Sequence, residues 1–198
     1  MFQKYLRNAG AVFLAIAASL ALALPARAAT NTVTGDIGGI DADLGDSNTV
    51  TLTTQTLALI KRAFLADGTP LTSGATLPRG TVVKFMIYVN NNTAFGVNDL
   101  SVQDVLAAGF TYQTGTIRVD NLVGNCAALA CTPAEEAAIY TSVNATAAKT
   151  DAIDAPDVVS YNAGTTTIDA GNQSVAGNGQ VDAAASKVWA MLFTVVMQ

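Results

Sequence analysis

An all-β sandwich interrupted by one α-helix is the fold this sequence predicts, and three observations predict it. Short runs of alternating apolar and polar residues recur along the chain, separated by turns rich in Gly, Asn and Pro. Charged residues make up only 13% of the chain and aromatic residues 7%, against abundant Thr, Val, Ala and Gly, which suits strands better than helices. Only the segment after Cys131 carries a helix start signal.

The N-terminus comes first. Lys4 and Arg7 precede an apolar run from Ala11 to Leu24, which Pro25 breaks before Ala26-Arg27-Ala28. A charged start, an apolar middle and small residues at the two positions a signal peptidase inspects make residues 1–28 a cleavable secretion signal. As a helix the apolar run would span roughly 21 Å of a hydrocarbon core about 30 Å thick, too little for a permanent anchor. No cysteine sits near the cleavage point, which argues against lipid anchoring. The expected location is therefore secreted, extracellular or periplasmic.

Cleavage would remove three of the ten basic residues and none of the fifteen acidic ones, leaving seven against fifteen and a net charge of −8. Such a surface repels nucleic acid and anionic lipid. Cys126 and Cys131 are the only cysteines, and in an exported chain they are expected to pair. So short a loop stabilises by only roughly 2 kcal/mol in the chain-entropy model, which makes the bridge a local clip. A metal site is the rival reading, disfavoured because the chain has no histidine and no second cysteine pair.

Along the rest of the chain, residues 29–47 are rich in Gly and Asp and read as a flexible arm with one short strand around Thr32-Val33-Thr34. Residues 49–65 are Thr-rich, then apolar, and read as strand; Asp67-Gly68-Thr69-Pro70 is a turn. Residues 81–90 form the best strand, with Val83, Phe85, Ile87 and Val89 on an apolar face and Val82, Lys84, Met86, Tyr88 and Asn90 on a mixed one, a half-buried pattern. Asn90-Asn91-Asn92 turns the chain out of it. Strands follow around Leu100–Leu106, at Phe110 and Tyr112, and at Ile117 and Val119.

Between residues 121 and 157 the pattern switches. Thr132-Pro133-Ala134-Glu135 combines an N-cap, a proline at the first helical position and a glutamate three residues after the cap. It predicts a helix of three to four turns ending before Asp151–Pro156. Strands resume at Val158–Tyr161 and Thr165–Asp169, and residues 187–198 close the chain as an apolar strand too short to cross a membrane as a helix. About seven strands with one inserted helix make an immunoglobulin-like β-sandwich over residues 48–198.

Three features follow one another from Pro78 to Thr116: Pro78-Arg79-Gly80-Thr81-Val82-Val83, then Phe85-Met86-Ile87-Tyr88-Val89-Asn90-Asn91, then Val102-Gln103-Asp104-Val105-Leu106-Ala107-Ala108-Gly109-Phe110-Thr111-Tyr112. Together they resemble a bacterial surface repeat, the family catalogued as domain of unknown function eleven. The resemblance covers roughly residues 57–120 and, loosely, the final strand. It implies an immunoglobulin-like sandwich of secreted and surface-attached proteins, often in tandem and without enzymatic activity of its own. Ala107 stands where the family usually has proline. Residues 121–157 are longer than its usual connection, so no partner or ligand is carried over.

Lys61 is the sharpest candidate site residue. With Leu57, Leu59, Ala63 and Leu65 inward, alternation places Lys61 inward too, where a lysine needs a partner. Asp104 is the obvious one. An ion pair and an isopeptide crosslink of the kind some related surface sandwiches carry both remain open, although the usual final-strand Asn is missing from residues 187–197. An inverted register would leave Lys61 in solvent.

The acids Asp36, Asp41, Asp43 and Asp46, and a second group of Asp151, Asp154 and Asp157, do not fit an EF-hand spacing and read as solvated loop acids. No metal and no cofactor is expected. Catalysis finds no support in a chain without histidine, without a G-x-S-x-G elbow and without a Gly-rich phosphate loop after a strand. Asn91, Asn144 and Asn172 match the N-glycosylation pattern, which arises by chance in a chain this rich in Asn and Thr.

The expectation is an exported, non-enzymatic structural or adhesive module. Its partners would be other surface or matrix proteins or further copies of itself, with no nucleic acid and no membrane span after cleavage. A filament subunit assembling by strand exchange through residues 29–47 is the second reading. A secreted enzyme with an unrecognised site is the third.

Overall fold

The computed structural model describes residues 28–35, 46–53, 57–153 and 157–198. Residues 1–27 of the signal segment, the acids Asp36, Asp41 and Asp43, and Asp154 lie outside the described residues. Over the described residues the chain is an all-β sandwich with one inserted helix. Its strands are β1 (Ala28–Gly35), β2 (Asp46–Thr53), β3 (Ala58–Leu65), β4 (Pro70–Leu71), β5 (Val82–Asn91), β6 (Val97–Leu100), β7 (Val102–Val105), β8 (Phe110–Tyr112) and β9 (Arg118–Asp120). After helix α1 (Pro133–Ala145) come β10 (Val159–Asn162), β11 (Thr167–Ala170), β12 (Val181–Ala183) and β13 (Lys187–Met197). The strands are more numerous than the seven expected because several are two to four residues long.

The main sheet runs β4-β3-β5-β13-β8, with β9 beside β8 on the outer edge of β13. One face packs on the sheet β10-β11-β7 and the pair β12-β6. Val83, Ile87, Trp189, Met191, Phe193 and Val195 there meet Val102, Val159, Ile168 and Val181. The opposite face is covered by α1 and the cysteine loop, where Met86, Tyr88, Ala190 and Leu192 meet Ile139, Val143, Cys126 and Cys131.

This third layer corrects the half-buried reading of β5. Met86, Tyr88 and Asn90 on its mixed face are as buried as the apolar face. It also explains why β13 shows no alternation: a strand covered on both faces is apolar throughout.

Helix α1 begins as its sequence predicts. Thr132 accepts from the Glu135 amide and Glu135 reaches back to the Thr132 amide, a reciprocal capping box with Pro133 inside it. Glu136, Ile139, Tyr140 and Val143 are its buried stripe, at helical spacing.

Three elements differ from expectation. Residues 49–65 form parts of two strands: β2, which pairs with β1 in an antiparallel two-stranded sheet, and β3. The strand expected at Thr32–Thr34 is thus eight residues long and paired, so the described part of residues 29–47 is not an unpaired arm. The single strand expected at 100–106 is likewise two, β6 pairing with β12 and β7 with β11. Asp99 in the left-handed region (φ 60°) marks the bend, and the chain changes sheets at Ser101.

Candidate functional site

Asn90 ends the mixed face of β5, and alternation aims it at the cysteine loop. Its fully buried amide shares donors among the carbonyls of Ala128 (2.8 Å), Leu129 (3.3 Å) and Cys126 (3.4 Å), and its oxygen accepts the Cys126 N–H (3.1 Å). The loop it holds is closed by the Cys126–Cys131 disulfide, as expected. Asn91, also fully buried, donates to the carbonyls of Phe95, Ala183 and Ala184 and accepts from Thr93. Asn91 is therefore no glycan acceptor.

Asn125 donates to Asn92, and Lys187 donates to the Leu122 carbonyl. The loops following β5 and β9 and the turn before β13 thus form one bonded cluster at one end of the main sheet. Phe95 and Leu122 stand out of it at 79% and 77% exposure. The triple asparagine reads in the sequence as a turn. Its clamping role could have been found from alternation, which sets Asn90 on the Met86/Tyr88 face, toward the insertion.

The structure brings Lys61 and Asp104 together. Lys61 Nζ lies 2.6 Å and 2.9 Å from the two carboxylate oxygens, and 4.2 Å from the Phe85 ring centre. The pair joins β3 of the main sheet to β7 of the facing one. Ile60 and Phe64 face the helix, Ala63 and Lys61 the sandwich side. Leu59, expected inward, is exposed, because β3 is the sheet edge at residues 58–62 and pairs with β4 only at Ala63 and Phe64.

With its side chain 37% exposed, Lys61 keeps contact with water, and no third titratable group bonds to the pair among the described residues. Lys61→Met or Asp104→Asn is expected to cost less than about 1 kcal/mol in denaturant melts, the scale of partly exposed pairs. The intact mass should equal that of the chain with its disulfide alone. A further loss of one water would show a crosslink and overturn the ionic reading.

The described acids of the second loop cluster are engaged by the protein itself. Asp151 accepts from the Tyr112 hydroxyl and the Gly115 N–H (2.7 Å), and Asp157 from the amides of Thr150 and Val158. Glu135 and Glu136 point apart, as adjacent helical residues must. Glu136 takes Arg62 Nε at 2.7 Å and the Tyr88 hydroxyl at 2.8 Å, tying β3, β5 and α1 together.

Burial, then the hydrogen bond to Glu136, pushes the Tyr88 phenol well above its ordinary range; burial, then Asp151, does the same for Tyr112. A phenol that holds its proton more tightly when folded leaves stability intact below about pH 10. Stability is then lost as pH rises further, because the unfolded chain releases protons the folded one keeps. Denaturant midpoints should therefore fall above about pH 10. Tyr88→Phe should flatten that fall, and an unchanged slope would remove Tyr88 as a cause.

Among the described residues, the one group of metal-ligating side chains is Cys126, Cys131 and Glu135. Its two sulfurs are bonded to each other and are not the thiolates that bind metal. Chemically, the arrangement holds loops in place and presents apolar side chains. No protein-family model, curated protein or solved structure matches the chain. No helix among the described residues is long and apolar enough to cross a membrane.

Proposed function

We propose that the chain is an exported, non-enzymatic β-sandwich module with a structural or adhesive role at the cell surface or in the periplasm. The observation that carries this reading is the asparagine-clamped loop end bearing exposed Phe95 and Leu122. Loops fixed to a rigid sheet and carrying apolar side chains suit contact with another protein. The charge pattern of residues 1–28, the resemblance over roughly residues 57–120 and the disulfide support export. The partner would be a surface or matrix protein, or another copy.

N-terminal sequencing of the chain recovered from fractionated cells tests export: Ala29 is expected first, outside the cytoplasm. An unprocessed cytoplasmic chain would end this reading. For adhesion, Phe95→Ser combined with Leu122→Ser should abolish binding to immobilised cell-envelope protein while leaving the melting temperature unchanged. Undiminished binding would exclude the loop end.

A filament subunit is the second reading, favoured by the β1–β2 hairpin. It pairs with no other strand among the described residues, and an isolated hairpin is marginal in water. The open edge of β3 at residues 58–62 is a place for such a hairpin from a neighbour. Deleting residues 29–47 should then abolish assembly while the sandwich still folds. A wild-type protein that sediments as a monomer at every concentration would dispose of it.

A further inference from the structure

The main sheet extends past the end of α1, leaving a notch on its helix-side face. In the register of the sheet Lys84 of β5 pairs with Thr194 of β13, and Arg118 of β9 pairs with Leu192. Leu192 and Thr194 share one face, so the two cations flank β13 on both sides. Asn144, in the last turn of α1, forms a wall. The cavity is about 120 Å³ and no carboxylate lines it. That is space for about four waters at roughly 30 Å³ each, or for one small ion.

The donors there are largely unspent. Lys84 uses one N–H on Asn144 Oδ1 at 3.0 Å. Arg118 engages the ladder with β13 through its backbone, and its guanidinium makes no hydrogen bond or ion pair among the described residues. Thr194, only 8% exposed, has a hydroxyl with no partner among them, although its amide bonds to Thr116 Oγ1. Nearby acids are committed elsewhere. Asp120, two residues from Arg118 on the same face, is held by the Ser142 hydroxyl and the Leu122 amide, and Asp151 takes the Gly115 amide.

We infer that this notch is a binding site for a small oxyanion (sulfate, phosphate or an isolated carboxylate), held by the Arg118 fork, the Lys84 ammonium and the Thr194 hydroxyl. A planar guanidinium with free donors suits paired oxygens, and an ammonium beside it adds charge. The ligand is a small ion and not a polyanion, because a chain with fifteen acidic residues against ten basic ones repels a polymer of its own sign. The inference stands whether or not the protein is exported.

Titrating the ¹⁵N-labelled protein with sodium sulfate, phosphate and acetate, each against sodium chloride at equal ionic strength, tests it. Amide shifts avoid the general stabilisation that sulfate gives any folded protein. Saturable shifts are expected at Thr116, Arg118 and Thr194 with at least one of the three anions. Arg118→Gln should weaken them by about tenfold or more, Arg118→Lys by less, and Arg79→Gln on the exposed Pro78–Gly80 turn not at all. Arg118→Lys keeps the comparison readable should Arg118→Gln misfold. No saturable shift with any of the three, or equal binding by the Arg118 variants and wild type, would overturn the site.

Discussion

Gly171→Ala is expected to lower stability by about 2–5 kcal/mol, combining the left-handed backbone cost with overpacking. Gly171 follows β11 at φ 70°, and its amide donates to the Val158 carbonyl at 2.8 Å. A Cβ added there would lie 2.0 Å from the Leu100 carbonyl oxygen and 3.0 Å from Val181 Cβ. The first collision is with backbone at the point where β6 gives way to β7, so no rotamer change relieves it. Gly80→Ala is the matched control: its φ is 81° but its added Cβ would meet open space, leaving only the conformational cost of about 1–2 kcal/mol. Urea melts of both variants separate the terms. Equal losses would mean that the close approach of Leu100 contributes nothing.

Asn90→Ala is expected to cost about 2–4 kcal/mol, the scale set by leaving several buried polar groups without partners. The alanine would orphan the Cys126 amide and strip a donor from the carbonyls of Cys126, Ala128 and Leu129. For a chain of this size each kcal/mol lowers the melting temperature by about 2–4 °C. Freed from the sheet, the loop should also expose its disulfide, so dithiothreitol should reduce Cys126–Cys131 faster than in wild type. Asn92→Ala, an exposed neighbour bonded to Ala127 and Asn125, should stay within about 0.5 kcal/mol. If Asn90→Ala matched it, the clamp would be ornamental.

Elements with a strong local signal are legible in the sequence alone. Residues 81–90 and 187–198 as strands, the Thr132-capped helix and the Cys126–Cys131 pair all follow from periodicity, capping chemistry and cysteine count. For Lys61 the sequence offers Asp104 as a partner but leaves solvent, ion pair and crosslink open, because alternation fixes a face and not a partner; the structure places the two in an ion pair with Lys61 partly exposed. What escapes sequence reasoning depends on layers. No local pattern shows that Met86 and Tyr88 lie under a helix some fifty residues later, so β5 reads as half-buried. Strands β4 and β12 are two and three residues long, below the length at which a period of two can be seen. The notch between Lys84 and Arg118 exists only because β13 separates their strands, which neither segment encodes.

The position of β13 has a consequence for the order of events in biosynthesis. Trp189 pairs with Val89, and on its other edge β13 carries both β8 and β9. A ribosome must therefore deliver nearly the whole sandwich before the central strand is available to close the sheet. Until then β5 has β3 on one edge and nothing on the other, and contacts this distant in sequence form slowly. Until β13 has been made the main sheet cannot close, and a chain whose sheet is still open is one a translocon could thread. Late closure of the sheet and the proposed export would then be two sides of one design.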